Sequence, residues 1–313
     1  LSTTVTFRRL DFEEFVELKA KIAFHAIRLS PSISAFGENI YTGSISGNGK
    51  CFLFEYHEAQ IPAASFIILQ AGRLVFYHHA STVSPVSIQS LIRGNITKFC
   101  LQEQGRFCLH AAAMCVGDGT VLFVGRKGAG KSTLAAFFHT RGHAVWCDDY
   151  AVLQQQDGTF YAERGETALK INPDTADSLN ITAAQRRPVF ELPENWPRSI
   201  PSDGLTRKTY FSLQPAASHA LPRPVTAIFF IGPRSPDPPN PVIPIGKTAA
   251  LAVLMDEMLL PGLNSRNYME LYFKSAADLV DNVPCYGLEA PDDVSRIHEA
   301  YHSMLEKISR STP

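Results

Sequence analysis

The spacing of apolar positions changes period several times along the chain. Val5-Thr6-Phe7 reads as a short strand. From Asp11 the spacing turns helical. Asp11 can cap, Glu13 and Glu14 fill the first turn, and Phe12, Phe15, Val16, Leu18 and Ile22 supply apolar positions toward Arg28. Strand-like runs follow at Cys51 to Tyr56, Ala64 to Leu69 and Leu74 to Tyr77, divided by turns containing Gly or Pro. A second helix is predicted from about Ser87 to Glu103. Arg106 to Val116 then reads as a strand, Gly117-Asp118-Gly119 as a tight turn, and Thr120 to Gly125 as the returning strand. Thr133 to Phe138 reads as helix, closed by Arg141-Gly142-His143. Ala144 to Cys147 is an apolar strand that ends in Asp148-Asp149.

The second half is more broken. Tyr150 to Gln155 and Thr159 to Ala162 make a hairpin about Asp157-Gly158, and Asn172-Pro173-Asp174 marks a helix start. Residues 185–206 are rich in Pro, Arg and turn formers and read as an irregular loop able to close over a substrate. Prolines of 233–241 end a strand at Ile231. Lys247 to Leu260 is an apolar helix with Met255 and Met258 in the core, Val283 to Leu288 a last strand, and Asp292 to Ile308 an amphipathic closing helix. This order predicts an α/β fold: a mixed sheet over 105–313 and a smaller α+β region over 1–104.

Composition narrows the class. In 313 residues there is room for one large domain or two smaller ones, and 45% hydrophobic with 19% charged residues is ordinary for a globule. The 29 basic and 30 acidic residues leave a formal charge of −1, no footprint for nucleic acid or an anionic membrane. No apolar run approaches the roughly 18–20 residues of a membrane span. The start lacks a signal-peptide pattern and an initiator Met, as a trimmed or processed end would, and the expected compartment is the cytoplasm. Six cysteines without C-x-x-C spacing read as buried thiols in a reducing compartment. His78-His79, with no acidic or cysteine partner at useful spacing, reads as a surface feature rather than a metal site.

The chemistry concentrates at Gly125-Arg126-Lys127-Gly128-Ala129-Gly130-Lys131-Ser132, followed by Thr133. It fits G-x-x-x-x-G-K-[ST], with a buried strand before and a helix after, as the phosphate loop requires. Glycines let the backbone curl around a polyphosphate, and the helix offers free N–H groups and its positive end. Lys131 supplies charge near the outer phosphates, and the Ser132 hydroxyl suits Mg²⁺. Asp148 and Asp149 offer one carboxylate for the cation and one for the proton of an attacking hydroxyl. Neighbours on a strand face opposite ways, so both serve one site only if the strand ends or twists there. His110 is the polar residue of an apolar strand expected beside the loop strand: a site group, or a core histidine. Lys170, Arg207 and Lys208 offer charge for a phosphate or simply a solvated surface, and Asn264 and Arg266 are weaker candidates.

Taken together, His110 before small residues, the loop, one short helix and Arg-Gly-His leading to Asp148-Asp149 resemble the HPr serine kinase/phosphorylase family. The same order occurs in phosphoenolpyruvate carboxykinases, to which that kinase fold is similar. The resemblance covers about residues 105–290. It implies a P-loop kinase core with ATP and Mg²⁺ as cofactors, and phosphorylation of a serine on a peptide or small protein. His110 would assist the reacting groups, while Asp148 and Asp149 would divide base and Mg²⁺ duties in an order left open. Residues 163–171, 207–213 and 224–231 look most like the shorter kinases of lasso-peptide biosynthesis, which phosphorylate the C-terminal residue of a precursor peptide. A long C-terminal signature of authentic HPr kinases is not found after the acidic pair, nor an obvious counterpart of their N-terminal domain. Other readings are an HPr-like protein serine kinase, a small-metabolite kinase and a nucleotide-binding regulator without turnover. The oligomeric state stays open, a homo-oligomer among the options.

Overall fold

A computed structural model of the chain describes residues 4–28, 36–46, 49–58, 61–191, 209–211, 221–234, 242–258, 266–291 and 293–311. These fall into two compact units, one within 1–105 and 188–208, the other within 106–187 and 209–313. No helix among the described residues is long and apolar enough to cross a membrane.

In the first unit, β1 (Thr6–Arg9) leads into α1 (Phe12–Ala20). Then come β2 (His25–Arg28), β3 (Phe36–Ile45), β4 (Gly49–Glu58), β5 (Ile61–Leu69) and β6 (Leu74–His79), in the sheet order β1-β6-β5-β4-β3-β2. Asp11 closes a capping box with Glu14, each side chain accepting from the other's backbone N–H, worth about 1 kcal/mol. The helix stops at Ala20 rather than running to Arg28, because the next residues are claimed by the sheet, His25 pairing with Thr42. His78 is not a wet surface group: it is half-buried, its ring 5.5 Å from Phe12 and 6.0 Å from Phe15. Alternation sorts Cys51, Leu53, Ile67 and Leu69 onto the face that packs Phe15, while Phe52 and Phe54 meet Phe99 at 4.6 and 4.9 Å. The helix expected over 87–103 is two, α2 (Pro85–Leu91) and α3 (Thr97–Glu103), joined by a widened turn where Gly94 leaves helical geometry at ψ −110°. Ser87 and Ser90 bond to the backbone of Glu191 and Val189, which ties residues 188–191 to this unit.

The second unit begins with β7 (Phe107–Leu109), β8 (Ala111–Val116), β9 (Gly119–Val124), α4 (Lys131–Thr140) and β10 (Val145–Cys147). It continues through β11 (Ala151–Gln156), β12 (Thr159–Ala162), β13 (Leu169–Ile171), α5 (Pro173–Ser178), β14 (Arg186–Pro188), β15 (Thr209–Phe211) and β16 (Arg223–Ile231). It ends with β17 (Val242–Pro244), α6 (Lys247–Asp256), α7 (Arg266–Asn282), β18 (Cys285–Leu288) and α8 (Ile297–Ser311). The main sheet is mixed, ordered β10-β8-β9-β16-β12-β11-β7, with β18 beside β16 and β17 beside β18; β13-β15-β14 form a small second sheet. β16 runs parallel to β9 on one side and to β18 on the other.

Both faces of this sheet are covered, which is why β9 is apolar at successive positions. Leu122 and Val124 face α6 and α7 through Leu254, Tyr272 and Leu279. Val121 and Phe123 face α4 and α8 through Leu134, Phe138 and Met304. Buried thiols pack in these layers, and none of the six cysteines is in a disulfide. Three sequence expectations need correction. The strand over 106–116 breaks at His110 and its two halves join different neighbours. Helix α6 ends at Asp256, and α8 starts at Ile297 after a tight turn over Val294–Arg296. Helix α7 was not anticipated at all.

Candidate active site

The phosphate-loop residues stand between β9 and α4, as their pattern predicts. Gly128 and Gly130 have φ of 89° and 109°, a region glycine enters without steric cost, and Gly130 is the N-cap of α4. Lys131 is buried, and its ammonium donates to the carbonyls of Gly125 at 2.5 Å and Arg126 at 3.3 Å, pinned along the rim of the loop. Ser132 and Thr133 lie in the first turn of α4, and Arg126, Lys127 and Gly128 are exposed at the loop's tip.

The acidic pair follows β10. Asp148 is 3% exposed, and its carboxylate accepts from the Ser132 hydroxyl at 3.0 and 3.2 Å and from the Lys170 N–H at 3.0 Å. Burial pushes its pKa up, against the pull of those bonds. Asp149 has φ 70°, in the left-handed region, where Asp is tolerated better than most residues. That turn answers the condition set by strand geometry: the chain swings at Asp149, so its carboxylate joins the site instead of pointing to the far face. Its Oδ2 accepts from Lys170 Nζ at 3.0 Å. Lys170 therefore braces both acids, one through its backbone and one through its side chain.

The two acids are not equivalent. Asp148 meets the loop through Ser132, and Asp149 is paired with a lysine and more open, its side chain 27% exposed. The donors facing the loop are all oxygen, a hydroxyl beside a buried carboxylate. A hard cation such as Mg²⁺, held by one or two carboxylates with phosphate and water oxygens, fits that set. The buried Asp148 carboxylate, which accepts from a hydroxyl and an amide, is the group whose ionised form such a cation would stabilise. Among the described residues no cluster of three or more His, Cys, Asp or Glu side chains could hold a metal.

His110 occupies the break between β7 and β8. Leu109 pairs with Ala151 just past the acids, Ala111 with Val124 just before the loop, and Ala113 with Cys147 just before Asp148. The register alone thus places His110 where loop and acids converge. Its Nδ1 lies 3.3 Å from Oε2 of Glu257, a buried carboxylate immediately after α6. A bridge between Leu109 and Met258 holds the two segments together. Burial raises the Glu257 pKa, offset by the charges of Lys131 and Arg126.

Sequence reasoning did not find Glu257, 147 positions from its partner, nor Arg234. An Nη atom of Arg234, just past β16, lies 3.6 Å from where a Cβ on Gly130 would be. Arg266 belongs elsewhere, paired with Glu270 on an exposed stretch of α7. Arg207, Lys208 and Asn264, with most of the 185–206 loop, lie outside the described residues.

No protein-family model matches the chain, and no curated protein does. Among solved structures it is similar to the HPr(Ser) kinase/phosphatase from Coxiella burnetii. The match has 13% identity and a TM-score of 0.30, over 66% of this chain and 99% of that one. A likeness that loose assigns no activity.

Proposed function

We propose that this chain is a Mg·ATP-dependent kinase that phosphorylates a hydroxyl acceptor, with a serine of a peptide or small protein as the acceptor. The observation that carries the reading is the joint geometry at Ser132, Asp148 and Asp149: one acid docked on the loop hydroxyl, the next turned into the same site by a left-handed residue.

The parts have separate tasks. The loop amides and the N-terminus of α4 receive the phosphates, and Lys131 leaves its two loop carbonyls for the outer phosphate oxygens. Ser132 and Asp148 would hold Mg²⁺, which when bound neutralises charge on the β- and γ-phosphate oxygens. Asp149 and His110 stand on the acceptor side as the groups for the hydroxyl proton, and Lys170 holds the Asp149 carboxylate in place. Phosphoryl transfer asks mainly for positioning and charge neutralisation, which these contacts supply.

The finer acceptor, a C-terminal serine of a ribosomal precursor such as a lasso-peptide precursor, rests on the sequence resemblance at 163–171, 207–213 and 224–231. The test is mass spectrometry after incubation with Mg·ATP and a panel of peptides with internal or C-terminal serine, plus hydroxyl metabolites. A gain of phosphate on a serine, lost in Asp149→Ala and Asp148→Ala, supports the kinase. Tight ATP binding with no phosphorylated product across the panel would overturn it in favour of a nucleotide-binding regulator, and phosphate on a metabolite alone would replace the acceptor class.

A further inference from the structure

Glu257 is a buried carboxylate that the proposed chemistry does not need for phosphate or cation. It is 8% exposed, sits at the end of α6 and reaches the His110 imidazole at the convergence of loop and acids. A neutral imidazole has one N–H and one lone pair, and the partner of one nitrogen decides the role of the other. A carboxylate at Nδ1 accepts a hydrogen bond from an N–H there, which leaves the lone pair on Nε2. Resting on the kinase reading above, we propose that Glu257 is a positioning residue that holds His110 with its proton on Nδ1, so that Nε2 accepts the proton of the attacking hydroxyl.

The step balances. The acceptor O–H bond breaks and its proton goes to Nε2. A bond forms from that oxygen to the γ-phosphorus, and the bond to the bridging oxygen breaks, its electron pair leaving with the nucleoside diphosphate. The resulting imidazolium faces the Glu257 carboxylate, and solvent later takes the proton. Asp149 is the weaker candidate for this duty, since its carboxylate is already satisfied by an ammonium at 3.0 Å; its place is to orient the hydroxyl.

The charged and titratable groups acting on Glu257 come from every side: Lys131 and Arg126 from the loop, Asp256 from its own segment, Tyr272 from α7 and His110 from the strand break. The loop cations suggest the competing role, that Glu257 is only their counter-charge. The two roles differ in what they move. A positioning residue for a base changes kcat and its pH profile; a counter-charge changes nucleotide affinity.

The experiment uses the full chain and two readouts. Long-range ¹H–¹⁵N NMR of the His110 ring in wild type and Glu257→Gln reports tautomer and titration directly. Phosphate release from Mg·ATP, with water as the acceptor, gives kcat and KM against pH. The inference expects the Nδ1–H tautomer in wild type. In Glu257→Gln it expects loss of that preference and a His110 midpoint about one pH unit lower, since an opposite charge favours the charged ring. The acidic limb of kcat should move down by the same amount, and kcat on the plateau should fall about 10–100-fold with KM nearly unchanged. In a His110→Gln background, adding Glu257→Gln should cost kcat nothing more. An unchanged ring spectrum, or a KM effect without a kcat effect, overturns the inference. If wild type neither turns over nucleotide nor phosphorylates any acceptor of the panel, the kinase reading falls, while the ring spectrum still decides whether Glu257 sets the tautomer.

Discussion

Replacing Asp148 by Asn should separate function from stability, with opposite signs. The carboxylate is 3% exposed and burial pushes its pKa up, so keeping it ionised in the apo fold costs free energy. Asn has the same shape: its amide oxygen can accept from the Lys170 N–H, and the Ser132 hydroxyl can turn to accept from the amide NH₂. Both hydrogen bonds persist without the charge. The apo second unit should therefore lose no more than about 1 kcal/mol and can gain, because a neutral amide costs less to bury than a carboxylate. Activity goes the other way, since a neutral oxygen is a poor Mg²⁺ ligand. Phosphoryl transfer should fall by about 10²–10⁴-fold.

A ligand experiment sharpens this. At about 100 times its Kd, Mg·ADP stabilises the native state by about 2.7 kcal/mol, or roughly 5–10 °C for a unit of this size. Wild type should show that increment with Mg²⁺ and lose much of it in EDTA. Asp148→Asn should show the same smaller increment in both conditions. Thermal unfolding followed by circular dichroism and phosphate release assays give both halves. Destabilisation of the apo variant by more than about 3 kcal/mol would refute the reasoning, because Asp148 would then be an anchor of the fold. So would an undiminished Mg²⁺ increment.

Further outcomes follow from the same geometry. Lys131→Met should weaken Mg·ATP binding about 10–100-fold by calorimetry, the worth of one or two charge-assisted hydrogen bonds. Gly130→Ala puts a Cβ at φ 109°, and a nucleotide affinity loss of about 1–2 kcal/mol is expected in the same assay. Tyr272→Phe removes the hydroxyl that donates to the Leu254 carbonyl at 2.9 Å in a fully buried place, and denaturant unfolding should register about 1 kcal/mol. Glu103 has a raised pKa through burial, partly offset by Lys50, so the folded first unit holds a proton that the unfolded chain releases at lower pH. Its stability should fall as pH rises from about 4.5 through the raised value, and Glu103→Gln should flatten that slope in unfolding midpoints taken from pH 4 to 8.

What the sequence disclosed depended on range. The loop, β9 and α4 were legible because glycine chemistry and an apolar run buried on both faces are local signals. The acidic pair was legible as a pair, yet the different surroundings of its two members were not, since these depend on one backbone angle at Asp149 and on Lys170, 21 positions away. Glu257 carries no local mark, as it is the bridge between Leu109 and Met258 that brings its segment to His110. Helix α7 was hidden by composition: Tyr268, Tyr272, Ala276 and Leu279 keep a helical period, but exposed Met269, Leu271 and Phe273 fill in the polar face. β3 was missed because Gly, Glu, Asn, Thr and Ser break up its apolar positions, leaving Ile40 and Tyr41 flanked by polar residues.

The strand that delivers the acids is short and lies at the end of the sheet order. An outermost strand of that kind offers its unpaired backbone to any extended segment of another molecule. Here the offer is taken from within: Asp148 donates its N–H to the Glu166 carbonyl at 2.8 Å, and Gly165 donates to the Trp146 carbonyl at 3.1 Å. The cover fits only because residue 165 has no side chain, as a Cβ there would stand 2.8 Å from the Cβ of Cys147. The run through Gly165 thus holds the start of the acidic pair and covers this edge of the sheet against recruitment of a foreign strand. On the proposed function, selection for solubility and selection for catalysis act on the same few residues, and a lapse in either would be felt as both.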